Sequence, residues 1–416
     1  MGEEEPYNPF EHRNVRKPTS DFGALAHLLK TSLGSGILAM PMAFKNAGLV
    51  LGAFGTIFLG IICTHCVQML VQCSQRLCYR IKVPELSFSE TAEVAFKTGP
   101  PRAQKVAKTM RQVTLKCCSD VPRQVAEFYF KPGVDVRYYV LALWIPLILM
   151  CMFRNLKSLV PFSIIANIFV VICFGITLYY IFRSINSTHT VRLVAPPDRW
   201  PLFLSTVIFA IEGIGTVLPI EHEMRHPEHF LGGCCGIIYI AMAIVVGFYG
   251  FIGFFGYLEY GDATKGSITL NLPVQDWMAQ MVKILIAMAI FFTYALQFYV
   301  PINIIWNIIK NRISDKWKMT ADLSVRTGLV TLTIVVAILV PNLEPIISLV
   351  GAVCFSMLGL FLPALLDTIV RWPYLGRAKW RLVKNCIIIM ISLLALVSGT
   401  YSSALDIIAM YKIKKK

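Results

Sequence analysis

Ten long apolar runs dominate the chain, at roughly 22–44, 49–74, 138–152, 159–182, 201–220, 234–258, 278–306, 327–340, 346–370 and 386–410. Most reach the ~20 residues that an α-helix needs to cross the hydrocarbon core of a bilayer. The run at 138–152 is short and must borrow from its flanks. Inside a bilayer every backbone N–H and C=O has to be satisfied without water, so runs of this length form helices. Hydrophobic residues make up 56% of the 416 and charged residues 15%, far from the balance of a soluble domain. The fold class is an all-α polytopic membrane protein.

The first residues, MGEEEPYNPF, are acidic and lack an apolar core, so the first apolar helix is expected to direct insertion itself. Pro6 stands where a myristoylation signal needs Ser or Thr. The net charge of +15 sits in short loops between spans, which is the positive-inside pattern and not a nucleic-acid footprint. No nucleic-acid partner is expected. The twelve cysteines lie mostly within apolar runs or as adjacent pairs, Cys117-Cys118 and Cys234-Cys235. Cys63-Thr64-His65-Cys66 has CxxC spacing but no second pair, so small buried thiols are the reading. Lys283 reads as a snorkelling side chain near a helix end.

The stretch IEHEMRHPEHF (220–230) contains His222-Glu223-Met224-Arg225-His226, the pattern of a zinc protease helix. A catalytic zinc needs a third protein ligand. Intramembrane metalloproteases take it from an N-x-x-P-x-x-x-x-D-G segment, and the matching NLEPIISLVG (342–351) has Val350 at the ligand position. Pro227 also argues that the helix stops beside His226. Neither a metal site nor an enzyme is expected.

Charge sets the topology. Lys310, Arg312, Lys316, Lys318 and Arg326 crowd one loop, and Arg371, Arg377, Lys379, Arg381 and Lys384 the next but one. Arg154 and Lys157 fall on the same side, which is the cytosol by the positive-inside rule. The glycosylation sequon at Asn186 then faces outward. Counting on toward the N-terminus, strict alternation puts residues 75–137, with twelve Lys and Arg, on the outside, and the N-terminus outside too. One further crossing at 104–130 would cure both faults. Yet QKVAKTMRQVTLKCCSDVPRQVAEF (104–128) holds Lys105, Lys108, Arg111, Lys116, Asp120 and Arg123 and has no spanning apolar window.

Two spans carry glycines at mid-membrane: Gly34-Ser35-Gly36, followed by Pro41, and Glu212-Gly213-Ile214-Gly215, followed by Pro219. Such glycines either let helices pack closely or interrupt them. Interrupted helices expose amides for a substrate carboxylate and carbonyls for its amine. Two breaks in one chain favour interruption.

At these residues the chain resembles the amino acid/auxin permease family, in its proton-coupled amino acid transporter branch. The resemblance rests on LLKTSLGSGILAMPMAFKNAGL, CTHCVQMLVQCSQRLC, FRNLKSLVPFSIIANI, FAIEGIGTVLPIEHEM, FGYLEYGDATKGSITLNLP, FTYALQFYVP and SLVGAVCFSMLGLFLPALLD, in family order. YNPFEHR is similar to insect members. The resemblance implies a LeuT-type fold of two inverted five-helix repeats with eleven spans, against about ten apolar runs here. It implies a cytosolic tail at 1–21, contrary to the count above, a transporter domain at 22–410 and a short basic tail at 411–416. Segment 104–130 stands in place of the third span, keeping Cys117-Cys118 and Arg123-Gln124-Val125 without the apolar length. Glu221, Met224, Arg225 and Pro227 fit a family pattern in which His222 replaces an asparagine, so the HExxH match arises from one substitution.

By the same resemblance, Gly34, Ser35, Gly36 and Ile37 hold the substrate carboxylate, and the carbonyls around Ala210, Ile211 and Gly213 its amine. His65, an ionisable group inside a span, is the candidate for proton coupling, with Glu212 as its rival. The function implied is symport of small neutral amino acids (glycine, alanine, proline) with protons, by alternating access, in the plasma or lysosomal membrane. The proton is the coupling ion and no other cofactor is implied. Two rivals stand beside it: an amino-acid sensor, and a transport-defective isoform lacking the third helix.

Overall fold

The computed structural model describes residues 7–117, 136–183 and 191–413, apart from 14, 16–17, 33–35, 153–155, 212, 233–235, 274, 310–313, 315–316, 340–342 and 373–379. The first helices are α1 (Asp21–Ser32), α2 (Gly36–Ala47), α3 (Leu49–Ile81), α4 (Phe88–Thr98) and α5 (Ala107–Cys117). Then come α6 (Val136–Cys151), α7 (Leu156–Arg183), α8 (Trp200–Ile211), α9 (Ile214–His222) and α10 (Ile237–Tyr260). The last are α11 (Trp277–Ile309), α12 (Lys318–Leu339), α13 (Leu343–Val350), a π-helical stretch at Gly351–Phe361, α14 (Leu362–Arg371) and α15 (Trp380–Ile413). Six helical stretches among the described residues are long and apolar enough to cross a bilayer, and Trp277–Phe292 is a shorter apolar one. The protein is a multi-pass, all-helical membrane protein.

The chain forms two compact units. One comprises Met1–Cys118, Leu193–Phe254 and Gly351–Ser402, the other Ser119–Arg192, Phe255–Val350 and Ser403–Lys416. In the second, α7 packs on α11 around Cys173, Tyr180, Ala279 and Val282, with Leu272 just before α11. The buried Arg326 bonds Asp322 at 3.1 Å and the Cys151 carbonyl at 2.9 Å, joining α12 to α6.

In the first unit, α3 begins after Gly48, whose φ of 86° is left-handed, and ends at Lys82, whose amide caps the Cys78 carbonyl. Its 33 residues make about 50 Å of helix, well beyond the ~30 Å apolar core, so its last turns reach past it. Helix α4 starts with a capping box read directly from Ser-x-x-Glu. The Glu90 amide donates to Ser87 Oγ at 3.4 Å and the Ser87 amide to Glu90 at 2.9 Å. The Ser87 hydroxyl, joined by its amide, holds the Glu90 carboxyl below its ordinary value against the effect of burial. Helix α5, the described part of segment 104–130, packs on α4. It buries Ala107 and Thr114 and sets Arg111 2.9 Å from Glu93. Residues 118–130 lie outside the described residues.

The contacts of this unit correct the strict alternation count. Near the end of α3, Arg80 donates to the Val370 carbonyl at 3.5 Å, and Gln72 accepts from Arg371 at 2.7 Å. That end therefore shares a side with the basic α14–α15 junction. Arg13 reaches the Pro84 carbonyl at 3.0 Å, so the N-terminal segment lies there as well. At the opposite end the α2–α3 corner meets residues before α8: Val50 donates to Leu193 O at 3.0 Å and Ala195 to Ala47 O at 2.8 Å. Alternation carried the count through 75–137 without a change of side, because hydropathy registers only crossings that bear an apolar run.

Candidate functional site

The second glycine-bearing span is interrupted where its sequence suggests, and the first is described on either side of its Gly-Ser pair. Helix α1 ends at Ser32 and α2 starts at Gly36; α8 ends at Ile211 and α9 starts at Ile214, after a non-helical Gly213 (φ −133°, ψ 12°). Gly34, Ser35, Glu212 and Asn186 lie outside the described residues. The described residues flanking these glycines, Ser32 and Gly36 of the first span and Ala210 and Gly213 of the second, face each other. A Cβ on Gly36 would sit 2.8 Å from the Cα of Ala210, and one on Gly213 would sit 3.1 Å from the Ser32 hydroxyl. The end of α8 and the start of α9, where the backbone leaves the helix at Gly213, thus meet α1 and α2 in one small volume. Opposite partial charges a few ångströms apart suit a zwitterion.

The Tyr249 hydroxyl of α10 donates to the Ser32 carbonyl. Tyr249 is fully buried. Sequence reasoning missed it, although a phenol within an apolar run is itself a signal of a polar partner at depth.

A small cavity opens beside Ser32 and Gly213. Leu28 and Ser32 of α1, Cys63 and Val67 of α3, Ile211, Gly213 and Val217 around the second break, Ile238, Ala241 and Met242 of α10, and Gly359 line it. Ile211 and Gly213 are therefore at its wall. Gly36, Ile37 and Ala210 are buried at the helix crossing and are not among the lining residues.

His65 is elsewhere. It is two residues from both Cys63 and Val67, hence about 200° around α3 from each. Its Nε2 accepts from the Lys384 ammonium of α15 at 2.7 Å, and its Nδ1 lies 3.2 Å from Gln68 Oε1. A ring nitrogen that accepts from an ammonium must carry a lone pair, so this arrangement holds the neutral imidazole. Protonating His65 at Nε2 would break the Lys384 bond. Lys384 escaped sequence reasoning because it precedes the last apolar run.

The histidines of HEMRH part company. Helix α9 ends at His222, whose ring lies 3.5 Å from Glu221 and 3.7 Å from Glu85. Beyond it Met224 bridges to Thr19. His226 stacks on His229 at 5.2 Å, outside the helix. The two do not share a helical face. Glu221 instead takes a buried ion pair from Arg13 at 3.1 Å and a hydrogen bond from Gln75 at 2.9 Å, fastening the N-terminal segment to α9 and α3.

Residues 17–405 match the family model described as transmembrane amino acid transporter protein. The chain is 40% identical over 422 residues to the "Proton-coupled amino acid transporter-like protein pathetic" of Drosophila melanogaster, covering 97% of this chain and 89% of that protein. It is 26% identical over 418 residues to "Amino acid transporter ANT1" of Arabidopsis thaliana, covering 94% and 93%. A solved structure of a Na+-coupled sialic acid symporter aligns over 92% of this chain and 96% of its own, with 14% identity and a TM-score of 0.40. With a family match over nearly its whole length and a relative at this level of identity, the chain belongs to the transmembrane amino acid transporter family, in its proton-coupled-transporter-like branch.

Proposed function

We propose that this protein is a symporter of small neutral amino acids and protons, working by alternating access on a scaffold of two inverted repeats in the plasma or lysosomal membrane. One observation carries the reading: the two glycine-bearing spans meet at Gly36–Ala210 and Ser32–Gly213, beside the break at Gly213, and line one small cavity. Its described lining has no charged side chain to match a charged substrate side chain. Recognition there falls to backbone groups, which suits glycine, alanine or proline. The His65–Lys384 pair supports His65 as the proton carrier, since gaining a proton forces a rearrangement between α3 and α15.

Uptake of labelled glycine, alanine or proline into vesicles tests this. Uptake should rise on acidifying the outer side, with inward current, and His65→Ala should remove the acid stimulation while the protein still reaches the membrane. Sodium-driven uptake indifferent to pH would sink the proton coupling. Acid stimulation retained in His65→Ala would move the role to Glu212.

A second reading, a transport-defective isoform, is favoured by α5. Lys108, Arg111 and Lys116 in that helix would each cost roughly 2.5–3.5 kcal/mol at mid-membrane. Absent uptake at every pH, with recovery when an apolar helix of about 20 residues is inserted between Gln112 and Arg123, would select it.

A further inference from the structure

Several cations in the first unit meet a carboxylate: Arg13 meets Glu221 at 3.1 Å, and Lys97 and Arg111 share Glu93 at 2.6 and 2.9 Å. The corner where α3, α14 and α15 come together is different. Arg76 of α3 lies within electrostatic range of Arg371 and Arg381, and Lys384 within range of the same two arginines. The carboxylate facing all of them is Asp367, and both its oxygens are taken, one by Arg371 and the other by Asn385 at 3.0 Å. Among the described residues, Lys384 has a neutral imidazole and a thioether as acceptors. Arg76 and Arg381 are exposed, with no carboxylate bonded to either among the described residues. The intervening sequence 373–379 adds Arg377 and Lys379 and no acid.

Two tryptophans mark the depth of this corner. Trp372 is 52% and Trp380 60% exposed, and the Arg381 and Lys384 cations lie 5.8 and 5.9 Å from the Trp380 ring centre. Exposed tryptophan collects at the headgroup level of a bilayer. The basic loops place the corner on the cytosolic side, whose leaflet carries the anionic lipids. Cations gathered from three helices repel one another unless an anion enters. A singly charged headgroup would neutralise one of three unmatched cations, whereas a headgroup with several phosphates can meet all three.

We propose that Arg76, Arg381 and Lys384, backed by Arg371, bind the headgroup phosphates of a phosphorylated inositol lipid in the cytosolic leaflet, tying α3 to the α14–α15 corner. Purified full-length protein in detergent, titrated with dioctanoyl phosphatidylinositol bisphosphate while thermal unfolding is followed, tests this. The midpoint should rise saturably, and far less with dioctanoyl phosphatidylserine or phosphatidylcholine. The double variant Arg76→Gln, Arg381→Gln should weaken the apparent affinity by about tenfold or more, and Arg76→Lys, Arg381→Lys should restore most of it. Arg111→Gln, whose cation already has Glu93, should leave it unchanged. Equal shifts with phosphatidylcholine, or an unaltered response in the double Gln variant, would overturn the site. Free inositol trisphosphate binding as tightly as the lipid would overturn the lipid as its occupant.

Discussion

At Gly36 the contact between the two glycine-bearing spans is backbone on backbone. An added Cβ would lie 2.8 Å from the Cα of Ala210 and 3.0 Å from its carbonyl oxygen, and neither atom can rotate away. Gly36→Ala should therefore spread α2 from α8, lowering stability by about 1–3 kcal/mol and uptake with it; Gly36→Val should do worse. Gly215 is the control, because a Cβ there meets nothing within 4 Å. Thermal unfolding of the purified variants reads the difference, and equal midpoints for Gly36→Ala and Gly215→Ala would refute the close approach. That Gly36 needed its bare backbone was legible in Gly34-Ser35-Gly36. That its partner is Ala210, or that Tyr249 caps Ser32, was not, since an alanine and a tyrosine in distant apolar runs carry no local mark of a partner.

Among the elements, α9 depends on the N-terminal segment. Arg13 and Glu221 have side chains only 4% and 1% exposed, and they lie 208 positions apart in sequence. Arg13→Gln leaves a buried carboxylate without its counter-ion, which costs about 3–5 kcal/mol. The double change Arg13→Met, Glu221→Met removes both charges and should recover most of that loss. Denaturation midpoints of the three proteins check it; a double variant no more stable than Arg13→Gln would show that the charges themselves are needed. Helix α9 ends at His222, a turn before the stop that Pro227 suggests, whereas the start of α4 could be read from Ser87-x-x-Glu90, a local signal. The ion pair could not, because an arginine in a polar leader and a glutamate in HEMRH suggest no contact until the chain is folded.

For the whole molecule, the contacts of the first unit set which ends lie together. The chain just before α5 belongs with the α14–α15 corner, since Gly99 packs on Ile369, whereas Leu193 pairs with the α2–α3 corner at the other end. Single cysteines at Lys105 and Arg381, both exposed, should react with an impermeant thiol reagent from one side of sealed vesicles, and a cysteine at Leu193 from the other. Native cysteines that react would first be replaced. Labelling of Lys105→Cys from the Leu193 side would restore the alternation count and reject this arrangement.

The sequence by itself determined the all-helical, membrane-spanning class, the placing of basic loops on one side, and the interruption at Gly213. Each follows from a local quantity: the transfer free energy of a run of side chains, the cost of a cation in hydrocarbon, or the weak helix propensity of glycine. Only the tertiary structure decided that the two glycine-bearing spans face each other, that His65 turns from the cavity to Lys384, that the histidines of HEMRH separate, and that the end of α3 shares a side with α14. Those outcomes depend on pairing between residues far apart in the chain. Hydropathy and propensity act on each residue alone, so they are silent about which partner satisfies a buried backbone carbonyl or a buried charge.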